Sequence, residues 1–331
     1  MLRSFIAATG LALVFASAAL ADAPKIIDRI AGPDGGWDYV TVDSEHGRVF
    51  VSRSAGATVI DLAGNKVSTL LPDLARTHIF LPINGGKDVL VTVGSTGEAV
   101  IADVATGTVK SRAKTGTKPD AATYDSVSDL VWVMDNKGAG VSLINPHTGA
   151  SEGVIATPGA LEFAVSDGKG KVFANVEDLG EIVAFDARDR KVIGHYPLTG
   201  CEEPTGLAYD SGNNRLFAAC ANKVAAVVDA ATGKLIKTLA IGAGPDAAAY
   251  DPANHRVYIP TGRDGKISII DADAVTVVGT AEGKVSARTA GIDPRTGRLY
   301  LPAADMSPPK TANGRPSATP GTFAVVVVST R

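Results

Sequence analysis

The sequence predicts an all-β chain: a seven-bladed β-propeller of four-stranded antiparallel blades, its ring closed by the N-terminal strand completing the C-terminal blade. Three observations predict it. An acidic residue ends the first strand of most units, at Asp43, Asp125, Asp167, Asp210, Asp251 and Asp293, spaced by 82, 42, 43, 41 and 42 residues. Short strand-like segments separated by Gly, Asn and Asp turns fill each interval, and no stretch carries a helical period. The two chain ends each hold what the other lacks. Four strands in a period near 42 residues is the signature of a propeller blade.

Residues 1–21 read as a signal peptide. Met1-Leu2-Arg3 gives a positive start, Phe5 to Phe15 a short apolar run, and Ala19-Leu20-Ala21 the small-x-small pattern that a signal peptidase cuts. That run is too short to span a bilayer and no second one follows. The expectation is therefore a periplasmic or secreted chain with no membrane span in its mature part, monomeric, and folded as a single propeller domain over 22–331. Losing Arg3 with the leader takes the formal charge from −3 to −4. Such a balance argues against nucleic acid as a partner, because phosphate-backbone binding draws on a basic surface.

After each acidic anchor come a turn and an apolar strand: Arg48-Val49-Phe50-Val51, Asp88-Val89-Leu90-Val91, Leu130-Val131-Trp132-Val133, Lys171-Val172-Phe173, Arg215-Leu216-Phe217, Arg256-Val257-Tyr258 and Arg298-Leu299-Tyr300. Seven units are visible, and in the second of them Ile83-Asn84 stands where the acid is missing. A third strand ends in Asp or Asn, as at Asp61, Asp103, Asn145, Asp186, Asp229 and Asp271. Thr-Gly turns such as Thr106-Gly107 and Thr232-Gly233 then lead into the outer strand. Gly takes positive φ there, and the Asp or Asn side chain bonds the backbone two residues on. Pro24 to Asp34 matches an outer strand with no blade before it, while the last unit stops after its third strand, Phe323 to Val328. Pairing the two removes a pair of open strand edges.

The stretches Arg256-Val257-Tyr258-Ile259-Pro260, Ile267-Ser268-Ile269-Ile270-Asp271 and Gly242-Ala243-Gly244-Pro245 resemble those of the YVTN-repeat family of exported β-propellers, and the likeness covers nearly all of the chain after the leader. No unit has the Gly-His and Trp-Asp pair of WD40 repeats. The resemblance implies a seven-bladed exported propeller, similar to surface-layer and amine-dehydrogenase-like propellers.

In such a blade the innermost strand lines the channel. Counting five residues back from each anchor gives Asp38, His78, Asp120, Glu162, Thr205, Asp246 and Arg288, one per blade, expected as a ring at one channel mouth. Arg53, Asn136, Asn175, Asn222 and Arg263 are expected on the same face, in the loops between second and third strands. A mixed rim of acceptors and donors suits a small polar or anionic ligand, an oxygen-preferring divalent cation or a protein partner; a polar mouth filled by water is the plain alternative. For a metal, the neighbouring donors are His78, Asp120 and Glu162. Cys201 and Cys220 reach the same face from paired segments and are expected to form a disulfide in an oxidising compartment. Residues 303–321, with Pro308, Pro309, Pro316 and Pro320, read as a loop insertion in the last blade.

These features favour a binding or scaffold protein over an enzyme. A lactonase-like or other metal-dependent hydrolase is the second reading, although the first outer-strand turn, Ala31-Gly32-Pro33, lacks the glutamate of the lactonase propellers. Single-stranded DNA binding is the third. There is no Gly-x-Ser-x-Gly elbow and no Cys-x-x-Cys-His, so neither serine hydrolysis nor covalent haem is expected.

Overall fold

The computed structural model describes residues 23–138, 140–309 and 316–331; the expected leader lies outside them. Seven four-stranded antiparallel sheets make up the structure, together with one two-stranded hairpin, and the described residues include no helix. Blade 1 runs Trp37–Asp43, Arg48–Arg53, Ala55–Asp61 and Lys66–Ala75, from the channel outward. Blades 2 to 6 repeat that order. In blade 7, Gly291–Asp293, Arg298–Ala303 and Ala324–Ser329 are completed on the outside by Lys25–Ala31. The closing pair runs from Lys25↔Ser329 through Arg29↔Val326 to Ala31↔Ala324.

Burial explains why these segments are strands. The second strands are buried almost without interruption, as expected where both faces of a blade are covered by its neighbours. At their centres stand Phe50, Leu90, Trp132, Phe173, Phe217, Tyr258 and Tyr300, one per blade and each at most 1% exposed. Each such side chain stabilises the ring by roughly 1.5–3 kcal/mol relative to solvent. Outer strands alternate and bury little, for example only Ile30 in Lys25–Ala31 and Leu239 in Leu235–Ala240. The Thr-Gly turns are built as expected. Asp103 Oδ1 accepts from the backbone N–H groups of Ala105 and Thr106, and Gly107 follows at φ 70°.

Two anchors differ from the sequence reading. The inner strand of blade 4 ends at Ser166, whose hydroxyl donates to Asp125 of blade 3 at 2.7 Å. Asp167 lies one residue beyond and caps the turn, accepting from the Lys169 and Lys171 N–H groups. In blade 2 the missing acid is replaced by Asn84, which adopts φ 53° and donates to Asp88 at 2.9 Å.

Candidate functional site at the channel mouth

The inner strand of each blade enters the ring beside the end of its own second strand. The bridging pairs are Trp37↔Arg53, Thr77↔Val93, Pro119↔Asp135, Leu161↔Val176, Pro204↔Cys220 and Pro245↔Thr261. The residue after each bridge is Asp38, His78, Asp120, Glu162, Thr205 and Asp246, so these six are topologically equivalent. In blades 1 to 5 the register shifts immediately afterwards, because the inner strand carries one extra residue there. A bulge of this kind re-aims a side chain out of the pleat. In blades 6 and 7 the inner strand is shorter, Ala249–Asp251 and Gly291–Asp293, and Asp246 and Arg288 precede it on irregular backbone.

Hydrogen bonds between blades hold these bulges in place. Ser52 Oγ donates to the Thr77 carbonyl, Thr92 Oγ1 to that of Asp120, Asn136 Nδ2 to that of Leu161, and Thr289 Oγ1 to that of Asp38. Each blade thereby sets the position of a neighbour's ring residue.

The ring side chains meet one another. His78 Nδ1 lies 2.7 Å from Asp38 Oδ2 and 3.3 Å from Asp120 Oδ1. Lys118 Nζ donates to Asn136 Oδ1 at 2.8 Å and sits 3.4 Å from Asp120 Oδ2. Asn136 Nδ2 donates to Glu162 Oε1 at 2.6 Å, and Arg288 pairs with Asp246 at 2.5 Å. Burial, joined by the charges of Asp120 and Asp246, pushes the Glu162 carboxyl up to about 9. Burial likewise pushes Asp246 up to about 6, although Arg288 opposes it, and raises Asp120. Burial alone would lower the His78 imidazole, but its hydrogen bond to Asp38 and the charge of Asp120 raise it overall. Four carboxylates therefore share a space in which the permanent cations are Lys118 and Arg288.

The position one residue further on forms a second layer: Tyr39, Ile79, Ala121, Phe163, Gly206, Ala247 and Thr289. The small residues of blades 3, 5 and 6 leave room on the axis, and Tyr39 fills it. Its ring packs 5.4 Å from that of Phe163 in blade 4, and its hydroxyl donates to Glu162 Oε2 at 3.2 Å. Tyr39 is 8% exposed. Tyr39 thus reaches across the axis from blade 1 to blade 4 beneath the ring, and with Phe163 it gives the mouth a floor. Sequence reasoning passed over Tyr39, yet the signal was present: two aromatic residues set against three of the smallest, Ala121, Gly206 and Ala247, at one fixed offset across the seven units.

The sequence-derived metal donors are redistributed. Asp38, not Glu162, joins His78 and Asp120, and ligand atoms of these three lie within 4.8 Å of one another. Glu162 is turned away towards Asn136 and Tyr39. Several residues of the second set are engaged elsewhere. Arg53 and Asn175 lie inside second strands, not in loops. Arg53 donates to the carbonyls of Pro33, Gly35 and Gly36 at 2.7–3.0 Å and stacks 3.7 Å from the centre of the Phe323 ring. Asn175 donates to the carbonyls of Thr205 and Gly206. Asn222 does lie in a loop, but it bonds Gly200 and Glu202. Arg263 is exposed and lines a cavity of about 940 Å³ with Trp37, Glu203, Asp246 and Arg288. A second cavity, of about 400 Å³, is lined by Trp37, Asp38, Arg53, Arg76, His78 and Lys118. Trp37 borders both, and its indole Nε1 is buried with no hydrogen-bond partner among the described residues.

The disulfide is present between Cys201 and Cys220, joining the link into blade 5 to the end of that blade's second strand. The insertion in blade 7 rises as a short hairpin, Met306–Ser307 against Ser317–Ala318, and residues 310–315 lie outside the described set. Its base is tied to the closing segment, because the Gly321 N–H donates to Asp34 at 2.8 Å. Met306 and Pro316 line the larger cavity. Among the described residues no helix is long and apolar enough to cross a membrane.

No family model and no curated protein matches the chain by sequence. Among solved structures it is similar to Kuenenia stuttgartiensis hydrazine synthase, with a TM-score of 0.70 over 80% of this chain and 92% of that one, at 13% identity. At that identity the likeness establishes the propeller fold alone.

Proposed function

We propose that the chain is an exported binding protein of the YVTN-repeat type that takes a small polar ligand bearing positive charge into the cup at its channel mouth. The floor carries this reading. An open bore needs no occupant, but a floored mouth lined by Asp38, Asp120 and Asp246, with the protonated Glu162 beside them above a buried tyrosine, concentrates negative potential in a partly dry space. Each of Asp120, Glu162 and Asp246 is raised partly by a neighbouring carboxylate, so an incoming cation relieves a repulsion already present. The disulfide supports export, since such bonds persist in oxidising compartments. Nothing in the ring pairs a nucleophile with a base, which favours binding over catalysis.

Thermal melting of chelator-treated protein with putrescine, spermidine, choline or Zn²⁺, against citrate and phosphate as anions, tests the proposal. At a hundredfold excess over Kd, a cation that fits stabilises the protein by about 2.7 kcal/mol. The D120N/E162Q/D246N protein should lose that response. Equal responses of wild type and variant to every compound, or stabilisation by the anions alone, would refute the reading.

A further inference from the structure

We infer that Asp38, His78 and Asp120 hold one divalent transition-metal ion of the zinc or manganese kind. The inference rests on reading the cup as a cation site, and it names the cation. Three adjacent blades each supply one donor, and bulges pinned by neighbouring blades fix all three, so the donor set exists before the ion arrives. Their ligand atoms lie within 4.8 Å of one another. His78 Nδ1 faces both carboxylates at 2.7 and 3.3 Å. The ion would replace the proton that Nδ1 now shares with Asp38: the nitrogen lone pair goes to the metal and the proton leaves to solvent.

Asp120 provides a second, independent observation. It is 5% exposed, and its carboxylate is held by two long ion pairs and by no short hydrogen bond among the described residues. Its nearest cations stand off at 3.3 and 3.4 Å, and one of them, Lys118, is bonded chiefly to Asn136 at 2.8 Å. A buried carboxylate held only by long ion pairs leaves room for a closer cation between them. One imidazole nitrogen with carboxylate oxygens suits Zn²⁺ or Mn²⁺ better than Ca²⁺, which takes oxygen alone. Three protein donors leave coordination positions open towards the 400 Å³ cavity, which marks an exchangeable site and not a closed structural one.

Two further residues make the inference testable from outside the donor set. A Cβ added at Gly94 would lie 2.6 Å from His78 Nε2, so G94A should push the ring off its seat. Lys118 places an ammonium beside Asp120 that an arriving ion must displace, so K118A should bind metal more tightly, not less.

Calorimetric titration of ZnCl₂, MnCl₂ and CaCl₂ into chelator-treated full-length protein decides the matter, alongside thermal melts of each metal-free variant to verify folding. The expected result is one Zn²⁺ or Mn²⁺ per chain and weak or no Ca²⁺ binding. H78Q and D38N should each weaken binding about 100-fold and G94A about tenfold, while K118A should tighten it about tenfold. H147Q, which removes an exposed histidine paired with Asp129 on the surface, should leave it unchanged. If Zn²⁺ and Mn²⁺ give no heat while an organic amine still shifts the melt, the metal inference falls and the cation cup stands. If neither responds, both fall. Undiminished Zn²⁺ binding by H78Q, or weaker binding by K118A, also overturns the assignment.

Discussion

Glu162→Gln should make the protein more stable, and increasingly so as pH rises. Glu162 ionises in the unfolded chain near its ordinary value of 4.5, and in the folded chain at about 9, chiefly because of burial and then because of Asp120. Between those values the folded protein holds a proton that the unfolded chain has released. Stability from this group is thus fully present below about pH 4.5 and is lost as pH climbs towards 9, at about 1.4 kcal/mol per unit. At pH 7 the accumulated loss is about 3 kcal/mol, and between pH 5 and pH 8 it grows by about 4 kcal/mol. Glutamine imitates the protonated acid: its oxygen can still accept from Asn136, and its amide can face the Tyr39 hydroxyl. Urea unfolding of chelated wild type and E162Q at half-unit steps from pH 5 to 8.5 measures the difference directly. His78, Asp120 and Asp246 are also raised, and the two aspartates act on Glu162, so the difference reads Glu162 together with its effect on them. A gap that fails to widen with pH, or an E162Q protein less stable than wild type at pH 8, would refute the reasoning.

Other perturbations test the remaining parts of the structure. Reducing Cys201–Cys220, which closes a loop of sequence separation 19, should cost about 3 kcal/mol in the chain-entropy account and lower Tm by about 5 °C, read by calorimetry with and without reductant. Y39A should cost about 3–5 kcal/mol in urea melts and abolish the cation response by removing the floor. Y39F should cost only about 1 kcal/mol and keep that response. R53A should lose about 3 kcal/mol or more, because three carbonyls and the Phe323 face are abandoned together, and R53K should rescue little of it, since an ammonium cannot fork to all three.

The fold was legible because a propeller repeats its chemistry. Phe50, Trp132 and Tyr258 recur at one offset since each fills the same gap between blades, and Arg29 and Val326 face each other since two incomplete blades have a single remedy. The membership of the ring was legible for the same reason. Asp38, His78 and Asp120 occupy one repeat position, and Asp167, though one residue past the strand end, still led to Glu162 because it follows the bridge at Leu161 by the same interval as Asp43 follows Trp37. What could not be read was direction. Arg53 and Asn175 have the polarity of a ligand site, but Arg53 is spent on carbonyls of the segment entering its own blade and Asn175 on those entering the next. Glu162 has the right address for a metal, but it turns towards Tyr39, a contact between residues 123 positions apart. Such contacts depend on the bulges and on which blades face each other across the axis, and neither is a local property of the sequence.

The pairing of Lys25–Ala31 with Ala324–Ser329 has a consequence in time. Synthesis proceeds from the N-terminus, so the first strand made waits for a partner about three hundred residues behind it. Throughout that interval six finished blades have no circular architecture to join, and Asp38 and Arg288 have not yet come to lie on either side of the join. Closure of the ring therefore waits for that last pairing, and a product cut short before blade 7 lacks Arg288 at the channel mouth and the Thr289 hydroxyl that holds the Asp38 carbonyl.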